Sequence, residues 1–212
     1  VIHWQAYSQD IDEGARVNYL GHWLFSDPTP DALIGSLWPD FARRPDPNTV
    51  SEEFLIHFDR HQAIDKLTDT TPLLEPLRVA LRPKLRKTTP IVVDMLIDHH
   101  LAKHWSEYHD EPLIDFTRKR YQLANQFRAL PLPERMGKTL YFMERDDWLT
   151  GYRETNHLVR ALGGMSRRIR FEDSMEKFGL MAIDTADSQS NLIYSYLTSL
   201  RFEILHFPNK TF

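Results

Sequence analysis

Cysteine is absent from all 212 residues, so no disulfide framework, thiolate metal site or cysteine nucleophile can form. Any metal must sit on nitrogen and oxygen ligands. The eight glycines compose neither a P-loop nor a G-x-G-x-x-G turn, and there is no G-x-S-x-G elbow and no H-E-x-x-H helix. No apolar run approaches the roughly 18 residues of a membrane span. The opening stretch, Val1 to Arg16, is polar and acidic and lacks the apolar core of a secretory leader. A formal net charge of -4 gives no electrostatic footprint for nucleic acid. The expectation is a soluble, cytoplasmic protein with neither a nucleic-acid nor a membrane partner. The length suits one domain, or one with a small appendage.

What the chain does have is helix punctuation. Three Thr-Pro pairs, Thr29-Pro30, Thr71-Pro72 and Thr89-Pro90, read as helix starts, because threonine caps an orphan amide and proline suits the first helical position. Thr49 with Glu52 resembles a capping box opening a helix that ends before Pro72. Pro112 opens a further stretch with Ile114, Phe116, Tyr121, Leu123 and Phe127 as core candidates, and Leu130 to Pro133 forms a turn. Trp148 to Leu162 reads as helical and is expected to stop at Gly163-Gly164, where glycine suits a left-handed cap. Two more segments fill Phe171 to Phe207, separated near Asp187-Ser188. Sustained period-two alternation and hairpin dipeptides are missing. The predicted fold class is all-α, a compact multi-helix domain of seven to nine helices.

The chemistry concentrates on two of these segments. His57, His61, Asp65 and Asp69 follow one another at i, i+4 spacing, so two imidazoles and two carboxylates share one slowly drifting stripe. About twenty-five residues later a second segment carries Asp94, Asp98, His99 and His100. His and Asp clusters on facing helices are how an all-helical protein builds a metal site. Carboxylate-rich sets of this kind suit Mn²⁺ or Mg²⁺, with Fe²⁺ and Zn²⁺ as alternatives. Such an ion acidifies a water and polarises a phosphoryl oxygen, which suits hydrolysis of a phosphate ester. The competing account is a solvated polar face. Asp40, where a helix opened at Pro30 should end, is a further ligand candidate or a turn carboxylate. His22 reads as a packing histidine or a ligand. Thr68 orients a neighbouring carboxylate or bonds its own backbone. The run Arg167, Arg168 and Arg170 is a solvated face or a seat for phosphate or an acidic partner.

Four segments carry a family resemblance. Asn18-Tyr19-Leu20-Gly21-His22, Gly35-Ser36-Leu37-Trp38-Pro39-Asp40-Phe41, His61 through Asp69, and Val93 through Leu101 stand in the order seen in the bacterial acyl carrier protein phosphodiesterases. Trp148-Leu149, Tyr152-Arg153, Gly164 through Arg168 and Phe207-Pro208 extend the likeness to nearly the whole chain. The resemblance implies an HD-like helical core spanning 18–212, preceded by an extension over 1–17. It implies Mn²⁺-dependent hydrolysis of holo-acyl carrier protein, as protein substrate, to apo carrier and 4′-phosphopantetheine. Asp40, His61, Asp98 and His99 are then the metal ligands. Asp65, Asp69 and Asp94 are the catalytic or ligand-orienting carboxylates, with His22, His57, Gln62 and Thr68 as secondary positions. Arg167, Arg168 and Arg170 are the docking cations, and Arg82, Lys84, Arg86 and Lys87 form an alternative docking run. The chain departs from the family pattern at Gln62, usually arginine, at Ser36, usually asparagine, and at Val17, which stands where family chains begin with methionine. The rival readings are an HD-like phosphohydrolase of a nucleotide or small phosphate ester, and a binding module for acyl carrier protein that has lost catalysis.

Overall fold

The computed structural model describes residues 18–168 and 174–205. The proposed extension over 1–17 lies outside the described residues. Among those described there are twelve α-helices, four short 3-10 turns and no strand. The helices are α1 (Tyr19–Leu24), α2 (Pro30–Gly35), α3 (Glu52–Thr70), α4 (Glu75–Leu85), α5 (Thr89–Lys103) and α6 (Leu113–Ala124). They continue with α7 (Glu134–Arg145), α8 (Trp148–Gly151), α9 (Thr155–Arg168), α10 (Ser174–Lys177), α11 (Gly179–Ser188) and α12 (Ser190–Leu205). The count exceeds the expected seven to nine because α8 and α10 are single turns of four residues and α1 and α2 hold six each, all too short to carry a 3.6-residue periodicity.

Helix α5 is the hub. Every residue from Val92 to Ala102 is buried, the polar Asp94, Asp98, His99 and His100 included. α1, α4, α8, α9, α11 and α12 all pack against it. α2 lies along α3, and α12 returns to cover α3 and the Pro72–Leu74 turn. Trp23, Phe54 and Phe116 are the largest fully enclosed side chains of the core.

Local signals place most boundaries. Thr29 caps α2 by accepting the Ala32 amide, and Thr71 does the same for Leu73. The third pair differs: α5 begins at Thr89 itself, whose hydroxyl donates to the Arg86 carbonyl instead of capping. The capping box at Thr49 does not form either. Ser51 accepts the Phe54 amide and caps α3, while Thr49 donates to the Asp46 carbonyl in the preceding turn. Ile114 is half exposed, whereas Phe116, Tyr121 and Phe127 are buried as expected. The glycine stop is also overturned, since α9 runs through Gly163-Gly164 to Arg168. Both glycines are buried, and a Cβ on Gly163 would sit 2.7 Å from the Glu176 carboxyl of α10. That contact is with the flexible Glu176 side chain of α10 and not with its backbone.

One glycine sets the geometry of the site. A Cβ at Gly35 would collide with the backbone carbonyl of Phe54, so α2 and α3 touch backbone to backbone. Gly35→Ala forces them apart in a region with no flexible side chain to yield. It is expected to destabilise the fold by at least about 1–3 kcal/mol, the usual range for overpacking, read as a lowered thermal midpoint. An unchanged midpoint would mean the two helices are free to separate.

Candidate metal centre

Three short-range devices bring the site together. α3 presents His57, His61 and Asp65 inward, but each i, i+4 step drifts by about 40°. By Asp69 the stripe has left the buried face, and that residue is exposed. Gln62 is exposed as well. α1 presents His22, which is 1% exposed and lies flat on His61, with ring centroids 3.9 Å apart and planes 13° apart. The 3-10 turn Trp38–Asp40 brings in Asp40 from the side. The Gly35 contact then sets the Ser36 carbonyl against His61.

The polar geometry is specific. His61 Nδ1 donates to the Ser36 carbonyl over 2.7 Å, which leaves Nε2 facing two carboxylates. Asp65 Oδ2 lies 3.2 Å away and Asp40 Oδ1 3.6 Å away. Asp65 also reaches His22 Nε2, at 3.4 Å through its other oxygen. His22, His61 and Asp65 are the described residues whose ligand atoms gather within 4.8 Å of one another. His22 Nδ1 makes no hydrogen bond, its Nε2 has only the long approach of Asp65, and Asp40 Oδ2 is likewise buried without a partner. Buried polar groups seldom go unsatisfied. Two imidazole nitrogens with carboxylate oxygens and no sulfur fit a hard or borderline divalent ion.

The charges are strongly coupled. Burial alone would lower His61, but Asp40 and Asp65 outweigh it and raise its pKa to about 10. Burial would raise Asp65, yet the two histidines hold it well below the usual carboxylate range. His22 is lowered, first by burial and then by the charge of His61. The two carboxylates thus favour the doubly protonated ring at His61, while burial and the His61 charge favour the neutral ring at His22.

The other expected residues lie elsewhere. Asp98 is fully buried, and its carboxylate accepts the Leu20 and Gly21 amides at 2.9 and 2.8 Å. It thus caps α1, whose own N-cap residue, Asn18, makes no side-chain cap. His99 donates Nδ1 to the Tyr152 carbonyl at 2.6 Å and keeps a buried, unpartnered Nε2. The charges acting on it are Lys103, Asp187 and His104, none of which belongs to the His22–His61 cluster. His57 is enclosed, and its Nε2 donates to Asp27 at 3.1 Å. Asp94 is buried on α5 and acts, with Asp65, on the Tyr196 hydroxyl. Thr68 donates to the Ile64 carbonyl and meets that Tyr196 hydroxyl at 2.5 Å. The side chains of Arg167 and Arg168, and the whole of Arg170, lie outside the described residues. Arg82, Lys84, Arg86 and Lys87 are all exposed.

Sequence reading gave no role to Tyr196 or Arg135. Arg135 reaches from α7 to donate to the Asp40 carbonyl at 3.0 Å and stacks over Phe41. Neither residue sits in a pattern that would have marked it. The Ser36 departure also gains an explanation. Its hydroxyl only donates to the Leu33 carbonyl, and it is the backbone of this residue that positions His61.

No helix among the described residues is long and apolar enough to cross a membrane. No solved structure matches the chain. The acyl carrier protein phosphodiesterase of Enterobacter sp. (strain 638) is 31% identical over 159 residues, covering 74% of this chain and 81% of that protein. The protein of the same name from Klebsiella pneumoniae subsp. pneumoniae is 32% identical over the same shares, and that of Escherichia coli O6:H1 is 31% identical. The family described as acyl carrier protein phosphodiesterase matches residues 17–197. The family match runs from α1 into α12 and takes in the His22–His61–Asp65 cluster, and the chain belongs to the acyl carrier protein phosphodiesterase family.

Proposed function

We propose that the protein is a metal-dependent phosphodiesterase that converts holo-acyl carrier protein to the apo carrier and 4′-phosphopantetheine. The observation that carries this reading is the buried His22, His61, Asp65 and Asp40 cluster, with His22 Nδ1 and Asp40 Oδ2 lacking hydrogen-bond partners, in a chain of this family. His22, His61 and Asp65 would hold the ion, with Asp40 beside them. Mn²⁺ is our first choice, and Mg²⁺, Fe²⁺ and Zn²⁺ are the alternatives to be compared in the same assay. When bound, such an ion supplies Lewis-acid polarisation of a phosphoryl oxygen and a more acidic water.

The protein's own groups do the rest. The Ser36 carbonyl fixes the tautomer and direction of His61, as a hydrogen bond behind a ligand does. Asp98, by gripping α1, keeps His22 in register with His61. Arg135 steadies the Asp40 turn through its carbonyl. Asp94 belongs to the proposal as a carboxylate that orients ligands or water from the buried side, whereas Asp69, rotated off that face and exposed, drops out of it. Docking of a strongly acidic carrier falls to exposed cations. The run Arg82, Lys84, Arg86 and Lys87 serves, together with Arg167, Arg168 and Arg170. We place the enzyme in the cytoplasm.

The test is direct. Incubation with holo-acyl carrier protein and Mn²⁺ should lower the mass of the carrier by its phosphopantetheine group, and KM should rise with salt as the Debye length shrinks below about 10 Å. A carrier of unchanged mass, beside turnover of small phosphate esters, would reassign the enzyme to small substrates. A protein that binds no metal and cleaves neither would be a binding module.

A further inference from the structure

A cavity opens where α1, α3 and α12 meet, and none of the proposed metal ligands lines it. Its volume is about 720 Å³, within the range of sites that hold small organic ligands. Its walls come from the end of α1, the N-terminal half of α3, the Tyr108-His109 turn and the C-terminal half of α12. His57 lines it and precedes His61 by one helical turn, a rise of about 6 Å along α3. The cavity and the centre therefore share both α1 and α3.

Three features limit what it can hold. The apolar wall includes Ile56, Leu197 and Ile204, so part of the ligand is hydrocarbon. The charged groups are three carboxylates, Asp27, Glu52 and Glu53, against two guanidinium groups, Arg60 and Arg201. That balance disfavours an anion. Finally, two enclosed polar atoms lack partners: His57 Nδ1 and Arg60 Nε. His57 donates through Nε2 to Asp27, so its neutral ring offers Nδ1 as an acceptor. Arg60 donates through Nη1 to the Phe25 carbonyl at 2.8 Å, and its Nε–H is a free donor. An acceptor and a donor stand one turn apart on α3, and a secondary amide answers both.

We infer that this cavity seats the pantetheine arm of the carrier-bound group, an uncharged chain of amides, hydroxyl and hydrocarbon. An arm amide donates to His57 Nδ1 and accepts from Arg60 Nε. The inference rests on the proposed carrier substrate. It adds a recognition element that reads the arm separately from the phosphodiester. A substrate lacking the arm then loses this binding while keeping access to the metal centre.

The experiment uses the metal-free, full-length chain with its isoleucine and leucine methyl groups labelled, titrated with pantetheine and, separately, with inorganic phosphate. Pantetheine should shift the Ile56 and Leu197 methyl resonances, and phosphate should leave them in place. Ile56→Trp, which fills the cavity from a partly exposed position, should weaken pantetheine binding at least tenfold. It should raise KM for the holo carrier by a similar factor, with kcat changed less than twofold. Shifts absent at millimolar pantetheine, shifts confined to other methyl groups, or equal shifts with phosphate would overturn the assignment. The methyl titration on the unsubstituted protein decides the matter even if Ile56→Trp does not fold. A holo carrier of unchanged mass would defeat the phosphodiesterase reading, whereas the methyl shifts judge the cavity independently.

Discussion

His22→Ala is expected to weaken Mn²⁺ binding by more than the roughly 10–100-fold that follows loss of a group behind a ligand. Turnover should fall by about a thousandfold or more, because several kcal/mol of charge stabilisation goes with the ion. The fold should lose only about 1–3 kcal/mol, as for other buried truncations, since the ring gives up its stacking on His61 and a single 3.4 Å approach to Asp65. The paired control is His99→Ala. It removes a buried ring and its bond to the Tyr152 carbonyl, so it should lower the thermal midpoint yet leave Mn²⁺ affinity within about threefold, under 1 kcal/mol. The reverse pattern, measured by calorimetric titration, would return the ligand role to His99 and make His22 a packing residue. Proton release adds an independent reading. His61 keeps its second proton up to about pH 10 in the metal-free protein, and Nε2 must lose it to bind an ion. Apparent affinity should therefore fall by up to about tenfold per pH unit on going from pH 8 to pH 6. The metal-free protein shows the opposite linkage. Because the folded pKa of His61 lies above the unfolded 6.5, its stabilising contribution is full below that value and fades as pH rises toward 10. Asp65 is depressed, so its contribution holds above its unfolded value near 3.8 and is lost in acid.

The sequence made the helical class plain because capping residues, prolines and 3.6-residue spacing are local, and each acts within a turn or two of itself. The first half of the α3 stripe was equally legible. What spacing could not convey was which helix faces it. Two His/Asp segments on α3 and α5 suggested one site between them, yet the imidazole stacked on His61 comes from α1, a six-residue helix with a single histidine. Nothing in Tyr19–Leu24 distinguishes a ligand from a packing ring; only the fold, by pinning α1 onto α5, sets His22 over His61. Asp69 shows the opposite limit, since an i, i+4 rule carried through three steps rotates off the face on which it began. Tyr196 and Arg135 reach the site from far along the chain, Arg135 from 95 residues beyond Asp40 and Tyr196 from 128 beyond Thr68, and through no repeated pattern. Arg135 acts on a backbone carbonyl, a partner that no residue type advertises.

Asp98→Ala is expected to be the most destabilising single change at the site. Its carboxylate is enclosed and accepts the Leu20 and Gly21 amides, two of the first-turn donors that a helix cannot satisfy internally. Burial pushes its pKa to about 8 even against these two donors. Alanine leaves both amides buried and unpaired, at about 1–3 kcal/mol each. A loss of roughly 2–5 kcal/mol corresponds to some 5–15 °C in the midpoint of a chain this size. Asp98→Asn keeps one acceptor oxygen but turns an N–H toward the other amide, so it should recover about half of that loss. Because α1 carries His22, Mn²⁺ affinity should decline in step with the loosening of α1, more for alanine than for asparagine. That order separates two roles for Asp98. A residue that anchors α1 lowers the melting point of the metal-free protein and loses metal affinity only in proportion. A direct ligand would lose Mn²⁺ binding almost completely in Asp98→Asn while the metal-free melting point stayed close to that of the unsubstituted chain. Thermal melts without metal, set beside Mn²⁺ titrations of the same two variants, decide between them.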